Sequence, residues 1–335
     1  MGSLNDSPTP NMTPLSEIAD LLRGAQRIGL ASHIRPDGDA VGSVLGLALS
    51  LRALGKTVVP LLEDGVPENL AFLPGADSIL RPSGPLDLDV AVALDTATHE
   101  RIGAGCVEAF SRTPVLVNID HHPTNPRYGR LNHVDGDQPA TGQIVYELLT
   151  RNGLPVDDGV RQNLFAAIST DTGSFQFACT TARSHEIAAE MIRAGLDIAR
   201  LSQLLYHTFP RRRLELQRAM LNDMAFRAGD RIASWQLSQE LQHRVEVRPG
   251  DTEGLIDTLR MIDSVVSAVI FEELPDGKVR VSARSKDARL DVSAVCVRFG
   301  GGGHRMAAGA RLPGPLPAAS ETFLTALEHE VRRLS

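Results

Sequence analysis

The sequence is short of aromatic residues, of cysteine, of basic charge and of long apolar runs, and each shortage removes a class of protein. Aromatics make up 4% of the 335 residues while apolar residues reach 42%, so a core must be built from Ala, Val, Leu and Ile. Only three cysteines occur, Cys106, Cys179 and Cys296, and none forms a CxxC pair. A disulfide framework is thereby excluded, a reduced cytoplasmic setting is expected, and each cysteine reads as a small buried residue. The net charge of −7 argues against a protein that grips long duplex DNA with a broad basic face. Small phosphorylated ligands stay open, because a metal would supply positive charge locally. No stretch approaches the ~20 apolar residues of a membrane helix, so no membrane partner is expected. Residues 1–13, MGSLNDSPTPNMT, lack the basic start and apolar centre of a signal peptide. They read as a disordered lead-in, with Met12 as an alternative start.

What is present alternates. Arg27–Ser32 reads as a strand, Ala40–Leu54 as a helix with apolar residues at helical spacing, and Thr57–Leu62 as a second strand. Asp89–Leu94 and Pro114–Ile119 are apolar runs that look buried on both sides, as in a parallel sheet covered by helices. Thr141–Arg151, Val160–Ser169 and Arg183–Ala194 read as helices. This rhythm predicts an α/β doubly wound sheet over 14–195. A helical linker is expected over 196–225, where Arg211, Arg212 and Arg213 read as a solvated face. The remainder, 226–335, reads as a smaller α+β domain, with an interdomain cleft between the two. In it a helix is expected over Asp251–Ile262 with Asp251 or Thr252 as its cap, and a hairpin through Pro275-Asp276-Gly277.

The ends of the first-half strands carry hard metal ligands. They are His33, Asp37 and Asp39, then Asp95 after DVAVAL, then Asp120-His121-His122 after PVLVNI, then Asp171. Singly, each reads as a cap or a hydrogen-bonded loop residue. Jointly they do not, because ligands in an open α/β sheet bind outside the carboxyl ends of strands. Asp171 joins them only if its helix is aimed back at the sheet. Carboxylates and imidazoles suit Mn²⁺, with Mg²⁺ as the alternative. His33, Asp37, Asp39, Asp95, His121 and Asp171 are too many ligands for one ion with an open position, and suit two ions sharing a carboxylate. Such a pair activates a water and stabilises phosphoryl charge. In the second half, Gly300-Gly301-Gly302-Gly303 precedes His304, and its backbone N–H groups suit an anion, although a flexible turn is the plainer reading. The small segment Met306–Gly309 suggests a packed, ligand-facing loop, and Arg284 offers a fork to a phosphate.

Together these strings resemble the DHH phosphoesterase superfamily. Ser32–Ala40, Asp95, Asp120-His121-His122 and Asp171 match its four motifs, and Gly300–His304 is similar to the signature of the associated DHHA1 domain. Length and domain order look most like the NrnA group, oligoribonucleases that also act as 3′-phosphoadenosine 5′-phosphate (pAp) phosphatases. The resemblance implies one metal at His33, Asp37 and Asp95, and another at Asp39, Asp95, His121 and Asp171. It implies that His122 contacts the scissile phosphate or protonates the leaving group, with Asp120 orienting the imidazoles. It further implies that Arg284, Gly301, Gly302, Gly303 and His304 hold the far end of the substrate. The expected substrates are short RNA or DNA oligonucleotides and small phosphorylated nucleotides. Two alternatives stand: a phosphodiesterase specialised for linear or cyclic dinucleotides, and a nucleotide-sensing module that binds without cutting. A homodimer is compatible with the sequence, which does not fix the oligomeric state.

Overall fold

The computed structural model describes residues 12–248 and 250–334, and two compact units divide between Thr208 and Phe209. Residues 1–11 of the expected lead-in lie outside the described residues. Thr13, expected within it, is tied down: its N–H donates to the Asn132 carbonyl, and its hydroxyl accepts from the Asn132 N–H.

The first unit runs α1 (Leu15–Gly24), β1 (Arg27–Ala31), α2 (Gly38–Ala53), β2 (Thr57–Leu61), β3 (Val90–Leu94) and α3 (Ala104–Ala109). It continues with β4 (Leu116–Asp120), β5 (Leu131–Val134), α4 (Thr141–Arg151), α5 (Asp158–Asp171), α6 (Ala182–Arg193) and α7 (Ile198–Tyr206). Its five strands are all parallel, in the order β2-β1-β3-β4-β5. Helices cover both faces. Leu30, Val92 and Val117 pack into the cluster of α1, α2 and α4, while Ala31, Ala91 and Ala93 pack against Cys106 and Ala109 of α3. That is why DVAVAL reads as an unbroken apolar run rather than an alternation. β5 was not expected; at four residues, with Asn132 and His133 inside it, it carries no apolar run to betray it.

The glycines of α2 decide where Asp171 goes. Gly38, Gly42 and Gly46 recur every fourth residue and so line one side of the helix. An added Cβ would meet Thr170 Oγ1 at 2.3 Å from Gly38, the Asn163 carbonyl oxygen at 2.4 Å from Gly42, and Leu164 Cδ2 at 2.6 Å from Gly46. Helix α5 therefore lies against the α2 backbone and runs antiparallel to it. Its last residue, Asp171, arrives beside Asp39 in the first turn of α2. The condition on Asp171 is met through this close helix pair.

The second unit runs α8 (Arg211–Asp223), β6 (Ala225–Arg227), β7 (Ile232–Leu237), α9 (Gln239–Val245), α10 (Leu255–Arg260), β8 (Ser267–Glu273) and β9 (Lys278–Ser285). It ends with α11 (Val292–Val297), β10 (Gly302–His304), β11 (Ala307–Pro313) and α12 (Leu316–Arg332). The strands form one mixed sheet in the order β10-β11-β9-β8-β7-β6, with only β7 and β8 parallel. One face packs Trp235 and Ile270 against α8 and α10; the other packs Val281 and Ala310 against α11 and α12.

Four expectations are corrected here. The stretch 196–225 is helical but is not a separate linker: Leu201 of α7 joins the first core, and Leu216 and Met220 of α8 join the second. Of the three arginines only Arg211 is solvated; Arg212 pairs with buried Asp251 at 2.7 Å, and Arg213 lies 4.0 Å over the Phe209 ring. Asp251 is thereby engaged elsewhere, and α10 starts later, at Leu255, after Gly254 in a left-handed conformation with no side-chain cap. Finally, the small segment read as a loop around Ala307 is strand β11, whose Ala308, Ala310 and Leu312 point into the core. Alanine and glycine are poor strand formers, so composition hid it.

Close helix packing gives a direct test. Alanine favours a helix over glycine by ~1 kcal/mol, yet Gly42→Ala must push against a backbone oxygen. We expect a net loss of about 1–3 kcal/mol from overpacking, seen as a lower thermal midpoint. A midpoint equal to or above that of the wild type would contradict the close α2–α5 contact.

Candidate metal centre

Strand order 2-1-3-4-5 reverses direction between β1 and β3, and an open sheet of this kind binds its ligand at that switch point. Ala31 pairs with Ala93, so His33 and Asp95, each two residues on, leave the sheet side by side. Leu94 pairs with Ile119, which sets Asp120-His121-His122 next to Asp95. Asp37 is the N-cap of α2, accepting from the Ala40 N–H at 3.1 Å, and Asp39 sits in the first turn, where the helix dipole favours anions.

Asp95 stands between two histidines. Its Oδ2 lies 3.4 Å from His33 Nε2, and its Oδ1 lies 3.4 Å from His121 Nε2. Beyond His33, Asp37 Oδ2 is 3.7 Å from Nε2; beyond His121, Asp171 Oδ2 is 3.2 Å and Asp39 Oδ2 is 4.0 Å from Nε2. Both histidines are oriented for this. His33 Nδ1 meets the Ile34 carbonyl at 2.9 Å, and His121 Nδ1 meets the Gln138 carbonyl at 3.3 Å. A ring that donates its Nδ1–H to a carbonyl keeps a lone pair on Nε2, which is how metal-binding histidines are held.

The donor set fits divalent cations. Two atoms each about 2.1 Å from one ion, at right angles, lie about 3 Å apart, close to the separations found. Three groups gather ligand atoms within 4.8 Å of one another: His33, Asp37 and Asp95; Asp39, His121 and Asp171; and Asp95, His121 and His122. All six sequence-expected metal ligands are therefore brought together. Asp95 itself has a left-handed backbone, φ 53°, a conformation an aspartate tolerates at some strain and which marks functional positions.

Electrostatics shows what the centre lacks when no cation is held. Burial opposes the charge on Asp95, but hydrogen bonds from His121 and His33 hold its carboxyl well below the usual range. Burial likewise opposes charge on His33 and His121, yet the acids around them keep both well above an ordinary imidazole. Asp39 is pushed well up by burial and by repulsion from Asp95 and Asp171. Asp171, raised first by burial and then by Asp37 and Asp95 against the pull of His121, rises to about 7. Protons thus stand where cations would.

Beneath the ligands lies a support layer of which the sequence reading had expected only Asp120. Asp39 accepts from the Thr141 and Gly142 N–H groups at 2.7 and 2.8 Å, so it also serves the N-terminus of α4. Thr141 Oγ1 donates to Asp95 Oδ1 at 3.2 Å. Asp120, fully buried, accepts from His122 Nδ1 at 2.8 Å and from Asn125 Nδ2 at 2.6 Å. This aims His122 Nε2 away from Asp120. Asn125 in turn reaches Asn118 Oδ1 at 2.8 Å and the Thr96 carbonyl at 3.1 Å. Nothing in the local pattern around Asn125 or Thr141 marks them; only tertiary contact does.

The remaining candidates lie in the second unit. His304 pairs with Ala307 and Ala307 with Arg284, so the three share one row across β10, β11 and β9. His304 is exposed and Arg284 half-buried. Gly302 and Gly303 belong to β10. At Gly301 and Gly303 an added Cβ would strike the Gly309 and Ala307 carbonyl oxygens at 2.1 and 2.6 Å, so tight strand pairing already requires glycine there; Gly302 faces open space. Cys106 and Cys296 are buried as expected, whereas Cys179 is exposed, with Sγ 3.7 Å from the Asp171 carbonyl. A sulfur therefore does stand near the centre. Partial desolvation and the Asp171 charge raise its pKa.

The description "DHH family, N-terminal domain" fits residues 27–168, and "DHHA1 domain" fits residues 238–333. A Thermus thermophilus protein named bifunctional oligoribonuclease and PAP phosphatase NrnA is 34% identical over 94% of this chain and 94% of its own. The chain belongs to the DHH family. Its Bacillus subtilis relative of the same name is 29% identical over 84% of this chain and 88% of its own. A crystal structure of an exopolyphosphatase-related protein from Bacteroides fragilis superposes with a TM-score of 0.85 at 25% identity, covering 94% of this chain and 95% of that one. The DHH-family fold thus extends across both units.

Because His33 and His121 are held well above an ordinary imidazole and Asp171 rises to about 7, cation binding must displace protons. Affinity for Mn²⁺ should therefore rise with pH, with net proton release on binding. Calorimetric titration at pH 7 in two buffers of different ionisation enthalpy measures that release; identical heats in both buffers would contradict the assignment.

Proposed function

We propose that this DHH-family chain is a metal-dependent phosphoesterase that holds two divalent cations, Mn²⁺ foremost. In this reading it hydrolyses short oligonucleotides and pAp to mononucleotides in the cytoplasm. The observation that carries the reading is Asp95, whose two oxygens face two separate histidines and so suit a carboxylate shared between two ions. The names of the Thermus and Bacillus relatives supply the substrate class. A bound pair of cations supplies a water nucleophile near neutral pH and offsets charge developing on the phosphoryl oxygens.

The chain's own residues do the rest. Asp37 and His33 on one side, and Asp39, His121 and Asp171 on the other, fix the cations about Asp95. His122, anchored through Nδ1 to Asp120, presents Nε2 to the scissile phosphate or the leaving oxygen. Asn125 locks Asp120 and acts as a positioning residue. Burial of His33, Asp39 and Asp95 limits bulk water at the reacting centre. In the second unit, the row of Arg284, Ala307 and His304 provides a cation and a histidine over a small floor, which suits a phosphate or a base. Glycine N–H groups at 301–303 are a further candidate contact.

Removing the shared carboxylate removes several kcal/mol of transition-state stabilisation, so Asp95→Asn should lower kcat/KM at least about a thousandfold. Arg284→Ala should raise KM more than it lowers kcat. Both variants are measured with Mn²⁺ against pAp, diadenylate, a five-nucleotide RNA and a cyclic dinucleotide. Wild-type activity confined to the dinucleotides would narrow the substrate to that class. Full turnover by Asp95→Asn, or binding without product by the wild type, would overturn the reading.

A further inference from the structure

We propose that Gln143, in the first turn of α4, is a positioning residue that aims His121 at its cation. The inference rests on the two-cation reading above and adds to it a residue that is not itself a ligand.

The first turn of α4 already addresses two ligands of the second cation. The Thr141 and Gly142 N–H groups reach Asp39 at 2.7 and 2.8 Å, and the Thr141 hydroxyl reaches Asp95 Oδ1 at 3.2 Å. The next residue, Gln143, serves a third ligand, His121, at one remove. His121 Nδ1 lies 3.3 Å from the Gln138 carbonyl. A carbonyl oxygen only accepts, so this contact needs a proton on Nδ1 and leaves Nε2 to face the acids. Gln138 belongs to the connection between β5 and α4, outside any strand or helix. Its own side chain fixes it instead. Gln138 Nε2 donates to Asp135 Oδ2 at 2.8 Å, and Gln138 Oε1 accepts from Gln143 Nε2 at 2.9 Å. Asp135 is tied in turn to the end of β4, its N–H donating to the Asp120 carbonyl at 3.0 Å.

Gln143 is 2% exposed, and both ends of its amide are used. Its Oε1 accepts from the buried Ser184 hydroxyl of α6 at 2.9 Å. A buried amide must find partners, and the bond to Ser184 is explained by that need alone, since it ties α4 to α6. The bond to Gln138 does something further. With Asp135 on the other side, it holds both ends of an amide whose main-chain carbonyl orients a metal ligand. Gln143 thus carries the rigidity of two helices into a loop that has none of its own.

The test uses the full chain as wild type, Gln143→Met, Gln138→Ala and Ser184→Ala. Methionine keeps the buried volume and removes both hydrogen bonds. Gln138→Ala removes the clamp at a half-buried position, and Ser184→Ala breaks only the tie to α6. Mn²⁺ titration, followed by the spin resonance of the free ion, should show two sites in the wild type. Gln143→Met and Gln138→Ala should weaken one of them about 10- to 100-fold and the other much less. Ser184→Ala should lower the thermal midpoint and leave both sites as they are. In the metal-free chain, nitrogen-15 histidine NMR should show an exchange-protected Nδ1–H on His121, assigned by its loss in His121→Gln. Gln143→Met and Gln138→Ala should expose that proton to exchange. A ring proton equally protected in both variants overturns the proposal, as does a loss of Mn²⁺ affinity in Ser184→Ala equal to that in Gln143→Met. A wild type that holds fewer than two Mn²⁺, with the ring proton still exposed by both variants, keeps the positioning assignment and fails only the two-cation reading.

Discussion

Buried carboxylates repel. Asp37, Asp39, Asp95 and Asp171 are crowded around His33 and His121 at the edge of one sheet, and burial alone would protonate them. Two features make the crowding tolerable in the free chain: ion pairs that place Asp95 between two imidazoles, and backbone N–H groups of α4 that satisfy Asp39. Protons drawn onto the histidines and onto Asp171 offset the remaining charge, and in the proposed function divalent cations would take their place.

Each part of that architecture has a simple physical source. Parallel pairing aligns strand ends, and the reversal between β1 and β3 opens a crevice where helices diverge. The glycine-lined side of α2 lets α5 approach until Asp171 and Asp39 share a site. A carboxylate–asparagine layer of Asp120, Asn118 and Asn125 then fixes His122, the histidine to which the proposed function gives the substrate. The second unit brings no ligand group of this kind among the described residues; its row across β9, β11 and β10 offers half-buried Arg284 and exposed His304 instead.

Much of this was legible in the sequence, for reasons that differ by residue. DVAVAL and PVLVNI announce strands buried on both faces, so the polar residues that end them, Asp95 and Asp120-His121-His122, stand out by contrast. Asp171 was legible as a residue type but not as a place, because its position depends on how closely two helices pack. Strand β11 was hidden by Ala and Gly, which form strands only when neighbours on both sides hold them. Asn125 and Thr141 were invisible: their roles come from contacts across 5 and 46 residues to Asp120 and Asp95, and no local periodicity records these. The arginines 211–213 show the opposite failure, since a charge run that reads as solvated surface supplies an ion pair to Asp251 and a ring contact to Phe209.

The central claim is that one carboxylate is shared between two cations. Anomalous diffraction from a Mn²⁺-soaked crystal of the full chain measures it directly. The account predicts two peaks about 3.5–4 Å apart, one on each side of Asp95, the first touching His33 and Asp37 and the second touching Asp39, His121 and Asp171. A single peak, or peaks that leave Asp95 uncoordinated, would contradict it.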